Sequence, residues 1–220
     1  MNLWIKICGN TSLADAQLAA ASGTDAVGFI FAPSPRRVTR EQVAIITAHL
    51  PHGVEKIGVF VDADFSTISA TVEQCGLTGA QLHSESPAEL AAQLRHRFGV
   101  SFRILRVIHF GADAPAQLLA ASAASDIDAM LVDSRTATAV GGTGIAFDWD
   151  AARQSIFTSE SHIKLVAAGG LNPGNVAQAI EILLPWGVDA VSGVELSHGV
   201  KDPAKVLAFV KAARAAAAAL

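Results

Sequence analysis

The sequence of 220 residues has little of what several protein classes need. Its two cysteines, Cys8 and Cys75, lie far apart without CxxC or metal-ligand spacing. We therefore expect no structural disulfide, no metal site and a reducing, cytoplasmic location. No run of Lys or Arg is long enough to follow a phosphate backbone, and the formal net charge is −4, which argues against nucleic acid. No stretch approaches the roughly 20 apolar residues of a membrane span, so we expect a soluble protein without membrane partners.

Apolar residues are abundant and recur in short runs along the whole chain. Hydrophobic residues make up 51% of the chain, enough for a sizeable core in one domain, which we expect to cover residues 1–220. Short apolar runs are each followed by a segment with helical spacing, the pattern of repeated βα units. The predicted strands are Leu3–Cys8, Ala26–Phe31, Lys56–Val61, Gly79–His83, Arg103–Ile108, Ala129–Asp133, Lys164–Ala168 and Ala190–Ser192. They are apolar on both faces, which is typical of parallel strands buried between two layers.

Repeated βα units fold either as a doubly wound open sheet or as a closed barrel. Eight units in this length, with no second domain evident, favour a single (β/α)8 TIM barrel with parallel strands. In such barrels the active-site groups come from the C-terminal ends of the strands and from the loops that follow them. Only residues at those positions are therefore candidates for a functional site.

Three glycine-rich loops follow the last three predicted strands: Gly141–Gly144, Gly169–Gly170 and Ser192–Gly193. Glycine lets the backbone approach a ligand and point its N–H groups at it, and a helix start adds partial positive charge. Each loop by itself could be a tight turn, but the loops after strands seven and eight form the recurrent phosphate site of these barrels. The three loops together predict a phosphorylated small-molecule ligand. The predicted phosphate-binding residues are Gly142, Thr143, Gly144, Gly169, Gly170, Ser192 and Gly193.

Reactive side chains stand at the same predicted rim. Cys8 ends strand one, where its thiol could act as a base if its pKa falls from roughly 8.5, although cysteine is also common in cores. Asp133 ends strand six, and a carboxylate there either caps the next loop or performs acid–base chemistry. Arg36 and Arg37 follow strand two, where one guanidinium could bind a carboxylate while the other is solvated. Further polar residues near strand ends have no role that the pattern assigns: Asp62, Gln81, His83 and Glu195.

These motifs resemble, in their order and spacing, the phosphoribosylanthranilate isomerase family of tryptophan biosynthesis, over essentially the whole chain. The strings that carry the resemblance are Lys6–Thr11, Ala26–Phe31, Ser34–Arg37, Gly58–Val61, Gln81–His83, Asp133 with Gly141–Gly144, Phe147–Trp149, Ala168–Pro173 and Ser192–Glu195. No single string is specific to the family, but their order along the chain is.

The resemblance implies an Amadori rearrangement of N-(5-phosphoribosyl)anthranilate to 1-(2-carboxyphenylamino)-1-deoxyribulose 5-phosphate, without a cofactor or a metal. It also implies that Asp133 is the general acid that protonates the ring oxygen, and that Cys8 is the general base that removes the C2′ proton. By the same resemblance, Arg37 holds the anthranilate carboxylate and the glycine loops hold the phosphate. We expect a monomer or a small homo-oligomer.

Three other interpretations explain the sequence less well. A histidine-pathway isomerase performs the same rearrangement on a related barrel, but it carries aspartate where strand one here ends in Cys8. Indole-glycerol-phosphate synthase would need lysines and glutamates at several strand ends, whereas strands three and five end in Val61–Asp62 and Ile108–His109. A non-catalytic barrel that binds a phosphorylated ligand or a partner protein explains the glycine loops, but it does not explain Cys8 and Asp133 at one rim.

Overall fold

Eight parallel strands close into a barrel in the computed structural model, which describes residues 2–83, 87–122, 126–134, 148–158 and 163–220. The strands are β1 (Trp4–Ile7), β2 (Ala26–Ile30), β3 (Glu55–Phe60), β4 (Gly79–Leu82), β5 (Arg103–His109), β6 (Ala129–Asp133), β7 (Lys164–Ala167) and β8 (Gly187–Ala190). The helices that alternate with them are α1 (Leu13–Ala21), α2 (Arg40–Thr47), α3 (Phe65–Cys75), α4 (Ala88–Phe98), α5 (Ala114–Ser122), α6 (Trp149–Ser155), α7 (Val176–Leu183) and α8 (Pro203–Ala219). The predicted TIM-barrel class is confirmed.

The alternation of side chains along each strand divides the core into two layers. On β1, Ile5 and Ile7 face outward and belong to the large cluster between the strands and the helices. Trp4 faces inward with Ile57, Leu105 and other residues that fill one end of the barrel. Because successive side chains point to opposite faces, Lys6 and Cys8 also face the interior, above Trp4. The barrel is therefore apolar at its N-terminal end and polar near its mouth.

Strand eight was predicted in the wrong place. The apolar pattern put it at Ala190–Ser192, whereas β8 runs from Gly187 to Ala190. Asp189 interrupts the apolar pattern because its side chain points into the barrel, where Lys6 neutralises it. Gly187 looks like a loop residue in the sequence, but a Cβ at this position would lie 2.8 Å from the backbone oxygen of Trp4. A glycine is therefore required where β8 packs beside β1.

Two helix starts are explained by their local sequence. Thr39 and Gln42 form the reciprocal capping box of α2, which capping-box spacing predicts. Pro203 occupies the first turn of α8, after Asp202 accepts hydrogen bonds from two backbone N–H groups. None of the helices in the described part of the chain has the length and apolar character that a membrane crossing requires.

A short hairpin between β8 and α8 was not predicted. After a 3-10 turn at Ser192–Val194, strands β9 (Glu195–Ser197) and β10 (Val200–Lys201) pair antiparallel. The hairpin is too short for a periodic pattern to reveal it. It carries two buried charged side chains, Glu195 and Lys201, to the end of β1.

Candidate active site

A cavity of about 330 Å³, the mouth cavity, opens at the C-terminal ends of the strands. This is the end of a TIM barrel at which active sites lie. The polar side chains that line it include those of Cys8, Arg36, Gln81, His83, Asp133 and Asp189. Its apolar lining includes Ile30, Val59, Val61 and Leu131. A cavity with an apolar wall and convergent polar groups suits a small organic ligand with charged ends.

Cys8 and Asp133, predicted from separate strands, both line the mouth cavity. Cys8 follows β1 and is 2% exposed, and its backbone N–H donates to the oxygen of Ala190 at 2.9 Å. Asp133 is the last residue of β6 and is half-buried. The structure therefore brings a thiol and a carboxylate to one cavity, which is the arrangement that two proton transfers on one ligand require.

A buried polar layer lies beneath Cys8. The Nζ atom of Lys6 is 3.0 Å from Asp189 Oδ1 and donates to Gln81 Oε1 at 2.9 Å. Lys6 is fully buried and Asp189 is 5% exposed. Burial alone would lower the pKa of Lys6, but Asp189 and Cys8 outweigh this and raise it above its ordinary value. Lys6 is therefore an ammonium ion inside the barrel.

The charge of Asp189 follows from the same geometry. Burial raises the pKa of the Asp189 carboxyl, against the opposing influence of Lys6 and Lys201. The contact of 3.0 Å with the Lys6 ammonium is nevertheless that of an ion pair, and a buried ammonium needs a counter-charge. We therefore assign Asp189 as a carboxylate.

Cys8 lies between opposing electrostatic influences. Burial raises the pKa of its thiol above the usual value, and the Asp189 carboxylate acts in the same direction. The Lys6 ammonium, and more weakly that of Lys201, lowers it. Burial therefore raises the pKa of the Cys8 thiol, and the two cations only partly oppose that effect.

Arg36 lines the mouth cavity. Its Nε and Nη2 atoms donate to the Glu195 carboxylate at 2.8 to 3.1 Å. Lys201 Nζ donates to Glu195 Oε1 at 3.1 Å and to the backbone oxygen of Cys8 at 2.6 Å. Burial acts to raise the pKa of Glu195, but Arg36 and Lys201 together outweigh it and lower that pKa. Arg36 and Lys201 therefore share the carboxylate of Glu195 beside the mouth.

Arg37 does not line the mouth cavity. It is exposed and lines a separate groove of about 630 Å³ between the β2–α2 loop and the start of α3. Its N–H donates to the oxygen of Ser34 at 3.1 Å in a tight turn, and its backbone pairs with Ile30. The buried Arg36 side chain reaches Glu195, whereas the next side chain, that of Arg37, is exposed. The structure does not bring Arg37 to Cys8 and Asp133.

Gly169 allows the loop after β7 to pack against Asp133. Its φ angle is +76°, in the left-handed region. A Cβ at this position would lie 2.2 Å from Ser134 Oγ and 2.6 Å from Asp133 Oδ1. Only glycine suits both the backbone conformation and the space. The predicted phosphate loop and the predicted acid are therefore in direct contact.

The loops after β7 and β8 also pack against each other. A Cβ at Gly193 would lie 2.0 Å from the backbone oxygen of Leu171. No acceptor in the described part of the chain receives the backbone N–H of Gly170, Ser192 or Gly193. Unused N–H groups on adjoining loops suit an anion. The other predicted phosphate residues, Gly142, Thr143 and Gly144, lie outside the described residues.

Sequence reasoning missed Lys6 and Asp189. A lysine two residues before Cys8, inside an otherwise apolar strand, was a usable signal, because both side chains must then face one side of the strand. Its partner could not be found without the register of β1 against β8, which pairs Lys6 with Asp189. Within the described residues, no cluster of three or more His, Cys, Asp or Glu side chains is arranged to hold a metal ion.

The chain is similar to known proteins over nearly its whole length. A model of the N-(5′-phosphoribosyl)anthranilate (PRA) isomerase family matches residues 5–212. The N-(5′-phosphoribosyl)anthranilate isomerase of Citrifermentans bemidjiense is 40% identical over 211 residues, which are 96% of each chain. Monomers generated from the dimeric phosphoribosylanthranilate isomerase of Thermotoga maritima have the same fold, with a TM-score of 0.81 and 32% identity over 97% of this chain and 99% of theirs. The same values apply to a phosphoribosyl anthranilate isomerase crystallised with reduced 1-(o-carboxyphenylamino)-1-deoxyribulose 5-phosphate.

Proposed function

The chain belongs to the N-(5′-phosphoribosyl)anthranilate isomerase family, and on this premise we propose which of its residues carry out the reaction. The enzyme catalyses an intramolecular Amadori rearrangement in tryptophan biosynthesis, an aldose–ketose isomerisation of N-(5′-phosphoribosyl)anthranilate. The product is 1-(2-carboxyphenylamino)-1-deoxyribulose 5-phosphate. The ribose ring must open, and a proton must leave C2′.

Asp133 is the general acid of this proposal and Cys8 is the general base. Asp133 donates a proton to the ring oxygen as the C1′–O bond breaks, and the anthranilate nitrogen forms a Schiff base. The Cys8 thiolate then removes the C2′ proton, which gives an enolamine that tautomerises to the ketone. The observation that carries this assignment is that both side chains line one cavity at the mouth of the barrel. Two positioned proton-transfer groups supply rate enhancements of about 10²–10⁴-fold each.

The phosphate lies, in this proposal, on the adjoining loops after β7 and β8. The unused N–H groups of Gly170, Ser192 and Gly193 support it, and so does the packing of Gly169 against Asp133, the proposed acid. The role of Gly142, Thr143 and Gly144 stays a prediction. The relative crystallised with a phosphorylated product analogue shows that a barrel of this family accepts such a ligand.

The carboxylate of anthranilate binds, in this proposal, to Arg36 rather than to Arg37. Glu195 occupies Nε and Nη2 of Arg36, while Nη1 donates to no acceptor in the part of the chain described. A guanidinium with a free N–H group suits a carboxylate. The apolar side of the cavity suits the aromatic ring.

Turnover by single variants tests the acid–base pair. Cys8→Ala and Asp133→Asn should each lower kcat/KM by about 10²–10⁴-fold without loss of the fold. Cys75→Ala is the matched control, because Cys75 lies on α3 away from the cavity, and it should keep wild-type turnover. The same variants can be tested for growth of a tryptophan auxotroph that lacks only this isomerase. Undiminished turnover by Cys8→Ala would refute the proposed base.

The two arginines offer a matched pair for the carboxylate site. Arg36→Gln should raise KM by about 10-fold or more, as expected for loss of a charge-assisted hydrogen bond. Arg37→Gln should leave KM within about 2-fold of wild type. The reverse result would return the role to Arg37, as the family resemblance suggested.

Assembly and location remain predictions. A monomer or a small homo-oligomer is expected, and the Thermotoga maritima relative is dimeric. Light scattering coupled to size-exclusion chromatography would distinguish the two states. A cytoplasmic location fits a biosynthetic enzyme whose two cysteines are free thiols.

A further inference from the structure

The reaction proposed above makes no use of Lys6 and Asp189, although both are buried directly beneath Cys8. A buried ion pair is a poor source of stability, because desolvation of the two ions offsets most of their attraction. Well-packed apolar residues would fill the same space without that penalty. The pair is therefore more readily explained by what its charges do to a neighbour.

We propose that Lys6 is a positioning residue that supplies the positive charge against which the Cys8 thiolate forms, and that Asp189 limits this charge by pairing with it. The inference rests on the proposed role of Cys8 as the base. It adds a separate claim, namely that these two side chains set the reactivity of the thiol through their charges.

The backbone holds Lys6 and Cys8 together. They are two residues apart at the end of β1, so both side chains point into the barrel. Both pack over Gly28 of β2: a Cβ at Gly28 would lie 2.4 Å from Cys8 Sγ and 3.0 Å from Lys6 Cε. The register of the strands then places Asp189 of β8 beside Lys6, and Gln81 of β4 accepts the hydrogen bond that fixes the ammonium.

Among the other charged groups near Cys8 that the structure describes, none replaces Lys6. Lys201 of β10 approaches from the hairpin, but it donates to the backbone oxygen of Cys8 and is paired with Glu195. Asp133 of β6 lines the same cavity, but its side chain is a carboxyl group and cannot supply a positive charge. Lys6 opposes the effect of burial on the Cys8 pKa more strongly than any other group, and Asp189 acts against it. The two side chains therefore have opposite effects on one thiol.

This opposition gives a test that a purely structural role would not pass. In a Cys75→Ala background, alkylation of Cys8 by iodoacetamide is measured against pH by mass spectrometry. Lys6→Met removes the cation and keeps a side chain of similar length, so alkylation at neutral pH should slow by about tenfold or more. Asp189→Asn frees the cation from its partner, so alkylation should become faster and its pH profile should move to lower pH.

The double variant Lys6→Met with Asp189→Asn keeps the barrel interior neutral and guards against misfolding of Lys6→Met. Because Lys6 outweighs Asp189 at the thiol, the double variant should react more slowly than wild type but faster than Lys6→Met. Circular dichroism and denaturant unfolding report whether each variant is folded.

The proposal is overturned if Lys6→Met and Asp189→Asn change the alkylation rate in the same direction or leave it unchanged. It is also overturned if the double variant reacts at least as fast as wild type, and this comparison stands even if Lys6→Met alone does not fold. Failure of the proposed function is separate, because it would appear as undiminished turnover in Cys8→Ala whatever the alkylation rates are.

Discussion

Gly28 on β2 is a position at which a single added methyl group should disturb Cys8 directly. In Gly28→Ala the new Cβ would lie 2.4 Å from Cys8 Sγ, and 3.0 Å from Cys8 Cβ and Lys6 Cε. Favourable contacts between such atoms lie at about 3.5–4.0 Å, so the thiol must move by roughly 1 Å. Overpacking of this kind destabilises a core by about 1–3 kcal/mol, and a misplacement of about 1 Å lowers turnover by about 10²-fold.

Denaturant unfolding measures the loss of stability in Gly28→Ala, and a kinetic assay measures its loss of turnover. The cause is isolated by a double-mutant cycle with Cys8→Ala, which removes the sulfur but leaves the rest of the contact. In that background Gly28→Ala should cost about 1 kcal/mol less than in wild type, since neighbours that share a clash are not additive. Gly53→Ala is the control, because its Cβ would meet no atom within 4 Å, and it should change stability by less than about 0.5 kcal/mol.

Equal destabilisation by Gly28→Ala with and without the Cys8 sulfur would refute this prediction. Such additivity would mean that the thiol does not rest on Gly28. Cys8 and Lys6 would then not pack together over Gly28, and the proposed effect of the Lys6 charge on the Cys8 thiol would lose its geometric basis.

Two further predictions concern buried titratable groups. Glu195→Gln leaves Arg36 and Lys201 without their counter-charge, so it should destabilise the fold by about 3–5 kcal/mol and raise KM more than it lowers kcat. Because the pKa of Glu195 is lowered in the fold, its stabilising contribution is present above about pH 4.3 and is lost as the pH falls further, and the variant should lack this acid-sensitive part of the unfolding free energy. Burial raises the pKa of Cys75 to about 11, so its contribution is full below about pH 8.5 and is lost as the pH rises towards 11. Cys75→Ala should flatten the alkaline decline in thermal stability, and an unchanged decline would contradict the shift.

Most of the barrel could be predicted because its strands are buried on both faces. An apolar run such as Ala129–Asp133 reports such a strand without knowledge of its neighbours. Apolar runs did not locate β8, because Asp189 interrupts the apolar sequence of that strand. The residue that neutralises Asp189, Lys6, lies on β1. A polar residue inside a buried strand is thus a local exception that only the tertiary structure explains.

Some residues of the candidate site could be predicted from the sequence, and others could not. Cys8 and Asp133 could be placed at one rim from the topology alone, because all strand ends of a parallel barrel meet there. The choice between Arg36 and Arg37 could not be made locally, since it depends on a carboxylate that lies 159 residues away in the sequence. The hairpin that carries Glu195 was also too short to predict.

The contacts that complete the mouth join the first strand to residues near the other end of the chain. Lys6 pairs with Asp189, and the backbone oxygen of Cys8 accepts a hydrogen bond from Lys201, 193 residues later. During synthesis β1 leaves the ribosome long before Asp189 and Lys201 are made. Contacts of such long sequence separation close large loops, and the entropy of that closure is lost before the contacts stabilise the fold. A chain truncated before β8 therefore contains Lys6 and Cys8 without the two charged residues that contact them in the closed barrel.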